Sequence, residues 1–330
     1  MEKFVDHITQ FNNSTDFDIY DIQGFNFLGY IYLIPYLLVF AVGFVGNALV
    51  LYIILRFRKM WTTTNIYVFS LALGDLLYML CLLFFAIEIA SSHWPLGAFM
   101  CRVLWALETM STFSSIYFLT VMSVSVFIQL YFPAFSKKRF GLKAASLTSL
   151  VVWILCLLLG IPIFFHAGMD EYYNCSVFWQ SPKARWNIIY TFVMTFLAPL
   201  TLNGICLILT ATRARNQRSN VPDFCSFKEN MIMVLCLIYF IAWLPTKSIE
   251  LMAATSSSYM GAGAYFIVSL LPCLKSCAYP ILYGFLCDSF KEAFNRVLCC
   301  TKVRDIPSQG CIQELDHCTP SAPLPENSVL

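Results

Sequence analysis

The chain has 330 residues, of which 59% are hydrophobic and 12% charged, roughly half the charged fraction of a soluble domain. A net charge of +2 gives no electrostatic footing for a nucleic-acid partner. Seven long apolar stretches dominate instead, at residues 28–55, 65–89, 99–132, 144–165, 186–210, 230–254 and 262–286. A run of about 20 apolar residues matches the hydrocarbon core of a bilayer. Inside lipid, helices satisfy every backbone polar group. The expected fold class is therefore an all-α membrane protein, a seven-transmembrane helix bundle over residues 28–286, and function must be sought in that bundle.

In chain order, residues 1–27 form a polar tail rich in acids: Glu2, Asp6, Asp16, Asp18 and Asp21. No apolar signal-peptide core appears in it, so the first span is expected to act as its own insertion signal. Asn12 and Asn13 each begin a glycosylation sequon, and modification of one of the two is expected. Basic residues cluster on alternate connections: Arg56, Arg58 and Lys59 after the first span, Lys137, Lys138, Arg139 and Lys143 after the third, Arg213, Arg215, Arg218 and Lys228 after the fifth, and Lys291, Arg296, Lys302 and Arg304 after the seventh. The opposite loops and the tail hold only Lys3, Arg102, Lys183 and Arg185. The positive-inside rule then places the amino terminus outside and the carboxyl terminus in the cytoplasm of a multi-pass protein.

Of the 14 cysteines, Cys81, Cys156, Cys206, Cys236, Cys273 and Cys277 lie within spans and read as small packing residues. Cys101 at the outer end of the third span and Cys175 in the next outer loop share the oxidising side, so a disulfide pinning that loop over the bundle mouth is expected. Past the seventh span, residues 287–300 read as an amphipathic helix lying on the inner membrane surface, with Phe290, Phe294, Val297 and Leu298 on its apolar side. Cys299 and Cys300 are juxtamembrane candidates for palmitoylation, with unmodified thiols as the other reading. Residues 301–330, punctuated by Pro307, Gly310, Pro320, Pro323 and Pro325, read as a disordered tail. Its last residues, with Ser328 and the apolar carboxyl-terminal Leu330, suit strand addition to a PDZ protein. His7, His93, His166 and His317 are scattered without metal-ligand spacing, and no catalytic constellation appears, so no enzyme activity, metal or cofactor is expected.

Individual residues carry a resemblance. Gly46-Asn47 in the first span, Leu71-Ala72-Leu73-Gly74-Asp75 in the second, Trp153 in the fourth, Pro199 in the fifth, Trp243-Leu244-Pro245 in the sixth and Pro280-Ile281-Leu282-Tyr283 in the seventh resemble rhodopsin-like (class A) G-protein-coupled receptors. The Cys101 and Cys175 pair matches that family's outer disulfide. The third-span stretch from Thr112 to Ser123 looks like neuropeptide B/W and somatostatin receptors, and the seventh-span stretch from Ser276 to Leu286 looks like somatostatin receptors, with opioid receptors next. The resemblance implies a cell-surface receptor for a peptide that signals through an inhibitory heterotrimeric G protein, with a second receptor copy as a further candidate partner.

In those relatives a third-span aspartate pairs with a cationic group of the peptide; the matching residue is Glu108. A carboxylate within a span is costly unless paired, so a ligand anchor is expected there. The rival is a local pair with Lys247, which lies one turn beyond Trp243 on the same cavity. Thr112 and Ser115 continue the Glu108 face at helical spacing. Glu250 and Glu88 lie nearer the rim and, with Asp170, Glu171 and the acidic tail, should steer basic peptides inward.

Deeper in, the family's sodium site would use Asp75, helped by Ser115 and two seventh-span asparagines. Those asparagines are replaced by Lys275 and Tyr279. A lone mid-membrane ammonium costs about 2.5–3.5 kcal/mol, so Lys275 is expected to pair with Asp75 in sodium's place. A retinal-binding lysine would occupy the position of Cys273, which excludes an opsin. At the inner end, Ser125-Val126-Phe127 replaces Asp-Arg-Tyr and Leu207 replaces a tyrosine, while Tyr283 remains. With that switch depleted, weak or absent conventional coupling is expected. The alternatives are a non-signalling decoy or partner receptor, and a transporter using Asp75, Glu108, Lys247 and Lys275, for which no inverted repeat is visible.

Overall fold

The computed structural model describes residues 19–298 except 92, 140, 172, 179–182, 217–222 and 256–261. Asn12, Asn13, Cys299, Cys300, Ser328 and Leu330, and with them the glycosylation, palmitoylation and PDZ expectations, lie outside the described residues.

Among the described residues, seven helices are long and apolar enough to cross a membrane. They are α1 (Ile19–Arg56), α2 (Thr63–Ser91), α3 (Gly97–Tyr131), α4 (Leu142–His166), α5 (Lys183–Phe192 and Ala198–Asn216, joined by a π turn at Val193–Leu197), α6 (Asp223–Thr255) and α7 (Ala262–Leu286). Most overrun the apolar stretches read from sequence; α1 begins at Ile19 rather than at residue 28. Hydropathy marks the part that suits lipid, whereas helical hydrogen bonding continues past it. A two-turn helix (Pro133–Arg139) joins α3 to α4, and α8 (Asp288–Leu298) follows α7. Between α4 and α5 lies an antiparallel hairpin, β1 (Ala167–Met169) with β2 (Cys175–Val177), registering Met169 opposite Cys175.

The side chains divide as a bilayer requires. Leu38, Val45, Leu158 and Phe285 point outward, Phe285 at 79% exposure. Phe113, Ile116, Leu119, Leu235, Tyr239 and Tyr283 are sealed inside. Lipid tails are as apolar as leucine, so small residues and polar contacts must hold the helices together. Gly74 provides one close approach: a Cβ there would overlap Ser114 Oγ on α3 and meet the Trp153 ring of α4 at 3.8 Å. Nearby, the hydroxyls of Ser70 and Ser149 share a hydrogen bond of 2.6 Å between α2 and α4.

The prolines supply a second kind of joint. Each lacks an N–H and deprives the carbonyl four residues earlier of its helical donor, and an unsatisfied carbonyl at membrane depth is costly. Neighbouring helices fill three of these vacancies. Pro199 leaves Thr195, whose carbonyl accepts from the Tyr239 hydroxyl at 3.1 Å. Pro272 leaves Val268, which accepts from Thr246 Oγ1 at 3.3 Å. Pro280 leaves Ser276, which accepts from Asn47 Nδ2 at 3.0 Å.

Helix α8 is amphipathic, but its apolar face does not simply lie on the membrane. Phe290 and Ala293 are fully buried, Phe290 stacks on Tyr283 with ring centroids 5.6 Å apart, and Phe294 and Val297 pack against the same core. The expected membrane face is turned largely toward the bundle, because Tyr283 offers it an aromatic surface.

Candidate functional site

One end of the bundle is closed over by the hairpin. Cys101, near the start of α3, is disulfide-bonded to Cys175 of β2, with Cα atoms 5.5 Å apart. Further contacts fix the hairpin: Arg102 Nε donates to the Ala167 carbonyl at 3.2 Å, and Trp105 Nε1 donates to that of Cys175 at 3.4 Å. Glu88 Oε1 accepts the Cys175 backbone N–H at 2.6 Å. Glu88 is 7% exposed, which corrects the expectation that it lies open on the rim and steers ligand. Its carboxylate satisfies a buried loop donor instead. Asp170 likewise holds the hairpin turn, accepting from the backbone N–H of Asn174 at 2.7 Å.

Below the hairpin, Glu108 sits half-buried on α3. Thr112 Oγ1 donates to the Glu108 backbone carbonyl at 3.0 Å. Among the described residues no basic group forms an ion pair with Glu108. Its expected rival partner, Lys247, pairs on its own helix: Nζ lies 2.8 Å from Glu250 Oε2 and 5.2 Å from the Trp243 ring centre. Proximity along α6 favours this choice, since residues three apart share a helix face. Trp243 is buried, and its Nε1 has no partner among the described residues.

Ser115 lies a layer deeper than Glu108 and Thr112, rather than beside them. Its Oγ accepts from Lys275 Nζ at 2.6 Å. The same ammonium is 2.8 Å from Asp75 Oδ1, the two side chains being 4% and 2% exposed. Ser276 Oγ also donates to Asp75 Oδ1, at 2.8 Å, while Oδ2 has no partner among the described residues. The rings of Tyr279 and Tyr239 lie 5.1 and 5.9 Å from the ammonium, and the Tyr279 hydroxyl donates to the Leu235 carbonyl of α6 at 3.2 Å. The charge is thus countered by one carboxylate, one hydroxyl and aromatic faces, conditions under which an ion pair in lipid is tolerable.

Residues 46–283 match the family described as 7 transmembrane receptor (rhodopsin family). The chain belongs to this family. It is similar to somatostatin receptor type 5 of Bos taurus, with 38% identity over 278 residues, covering 81% of this chain and 76% of that receptor. It is also similar to somatostatin receptor type 2 of Mus musculus, with 34% identity over 299 residues and coverage of 86% and 80%. A third relative is somatostatin receptor type 3 of Homo sapiens, with 34% identity over 283 residues and coverage of 81% and 68%. The protein is therefore a multi-pass membrane receptor and not an enzyme.

At the receptor's opposite end, most residues in the switch positions are held by packing, while Ser125 is within hydrogen-bonding reach of the Tyr67 hydroxyl. Ser125 is buried, Val126 and Leu207 pack against the core, and Phe127 stacks on Tyr131 with centroids 4.6 Å apart. Tyr283 is 1% exposed, and its hydroxyl has no partner among the described residues. A contact that sequence reading missed ties α3 to α5 here. The Tyr131 hydroxyl donates to the Leu209 carbonyl at 3.0 Å, and the Arg213 guanidinium lies 4.9 Å over the Tyr131 ring. No local spacing joins residues so far apart in the chain, so nothing in the sequence could have signalled it.

Proposed function

We propose that this receptor sits in the plasma membrane with its disulfide end outside, and binds a basic peptide of the somatostatin type in the cavity beneath the hairpin. The single observation that carries the reading is the state of Glu108. The other two acid–base sets within the bundle are closed on themselves, Lys247 on Glu250 and Lys275 on Asp75. Among the described residues Glu108 is left outside both of these ion pairs, and an acid so placed within a span is functional by default. Similarity to receptors named for somatostatin supports a peptide as the cation donor. Thr112, bonded to the Glu108 carbonyl, and Trp243, under Lys247, are the further ligand-facing residues of this reading.

Binding of labelled somatostatin to membranes carrying the receptor tests this. A hydrogen bond to a charged group contributes about 1.5–3 kcal/mol, so E108Q should weaken affinity by roughly ten- to 150-fold. Equal affinity in E108Q would refute the anchor.

On the cytoplasmic side the proposed partner is a heterotrimeric G protein of the inhibitory class, engaged weakly. A second reading, ligand capture without signalling, is favoured by Val126, which carries neither charge nor hydrogen-bonding group, and by the unpartnered Tyr283 hydroxyl. A G-protein dissociation assay with the same peptide separates the two: a small agonist response supports weak coupling, none supports capture, and a robust response refutes both.

A further inference from the structure

The outer half of the bundle holds the Lys247–Glu250 pair on α6, and the Glu108 side chain of α3 lies within electrostatic reach of both. One ammonium facing two carboxylates takes one and leaves the other. Lys247 takes Glu250, at 2.8 Å and three residues along the same helix; the Lys247 side chain is 9% exposed and that of Glu250 35%. The exposures make the dependence one-sided. Glu250 is the more exposed of the two partners, whereas a buried ammonium must find an anion. The lysine stem is flexible and its head is a point charge with no fixed geometry. With Glu250 neutralised by substitution, Glu108 is an acid that remains within electrostatic reach of Lys247.

We propose that Glu250 is a positioning residue: it holds Lys247 away from Glu108 and so keeps the Glu108 carboxylate open to the cationic group of a ligand. This rests on Glu108 being the anchor, but it concerns a residue that need not touch the ligand. Because both partners are on α6, closing the pair orders no loop and joins no second helix.

Two readouts on the full-length receptor test it. The first needs no ligand: thermal unfolding of wild type, E108Q, E250Q and E108Q/E250Q. Each single variant should melt close to wild type, because Lys247 retains one acid. The double variant should lose more than the sum of the singles, because the ammonium is then buried unpaired. Additive losses would show that Lys247 does not reach Glu108 and would overturn the proposal. The second is binding of labelled somatostatin. E250Q should weaken it about tenfold, as when the open-anchor form falls to a tenth of the population. K247Q should tighten it, and E250Q/K247Q should restore it. An E250Q loss that K247Q fails to restore would mean that Glu250 itself contacts the peptide, and would also overturn the proposal. Intact binding in E108Q would remove the anchor reading, while the thermal cycle would still decide whether Glu250 governs Lys247. If the peptide does not bind wild type, the thermal cycle alone decides.

Discussion

Replacing Lys275 by asparagine should give a receptor whose stability responds to sodium, where that of the wild type should not. In the wild type the ammonium lies 2.8 Å from Asp75 Oδ1 and 2.6 Å from Ser115 Oγ, so Asp75 has its cation built in. Among the described residues, the substitution leaves Asp75 the Ser276 hydroxyl, at 2.8 Å, in place of a charged partner, and opens space where the ammonium stood. Removing one partner of a buried pair costs about 3–5 kcal/mol. Sodium entering that space would recover part of the loss, about 1.4 kcal/mol at ten times its Kd. The assay is thermal unfolding of purified receptor, followed with a maleimide dye that reports exposure of buried thiols such as Cys81, Cys156, Cys236 and Cys273. Sodium chloride and choline chloride at equal ionic strength keep screening the same. K275N should melt lower in choline and rise in sodium, while wild type should not move. A K275N curve unaffected by sodium, or a wild-type curve that shifts as much, would refute the reasoning. The paired control is D75N/K275M, which removes both charges and should recover most of the stability that either single change loses, because uncharged replacements of similar volume are tolerated.

Three further outcomes follow from packing. Y239F keeps the ring but orphans the Thr195 carbonyl, and should cost about 1–3 kcal/mol in the same unfolding assay; unchanged stability would mean that the carbonyl finds another donor. G74V drives a side chain into Ser114 and the Trp153 ring, so surface expression should collapse, and S114A in the same chain should recover part of it. E88Q weakens the acceptor for the Cys175 N–H and should lower stability by about 1 kcal/mol without changing peptide affinity; a fall in affinity at equal stability would return Glu88 to a steering role.

The bundle was legible because lipid imposes a length, and each of the seven stretches met it. Helix ends were less so: α1 starts well before its apolar run, since nothing in hydropathy marks where hydrogen bonding stops. The disulfide could be read because Cys101 and Cys175 fall on one side of the membrane. What sequence could not supply was the choice among partners that only three-dimensional rotation decides. Lys247 faced two acids, and nearness along one helix selected Glu250. Glu88 read as a rim charge because it lies near a helix end, yet the backbone donor of Cys175 took it inside. Ser115 shares a helical face with Glu108 but sits deep enough to meet Lys275. The proline vacancies were predictable as vacancies; that Tyr239, Thr246 and Asn47 would fill them required knowing which faces meet.

The built-in ion pair also bears on signalling, independently of Val126. A mobile sodium ion can leave Asp75 for water when helices shift, whereas an ammonium fixed to α7 can separate from Asp75 only if α2 and α7 part with their charges unpaired. On the proposed reading, any active arrangement that separates them carries the cost of breaking a buried pair, about 3–5 kcal/mol. Moving a two-state equilibrium from 1:99 to 99:1 already demands about 5.5 kcal/mol of differential binding from an agonist. The added cost raises that demand by a further factor of roughly 150 to 5,000. A peptide bound through Glu108 would thus occupy the receptor without shifting it far. K275N should then increase the agonist response in the G-protein dissociation assay even with Ser125 and Val126 unchanged. If K275N binds peptide as well as wild type and remains equally silent, the restraint lies at the inner end and not at the ion pair.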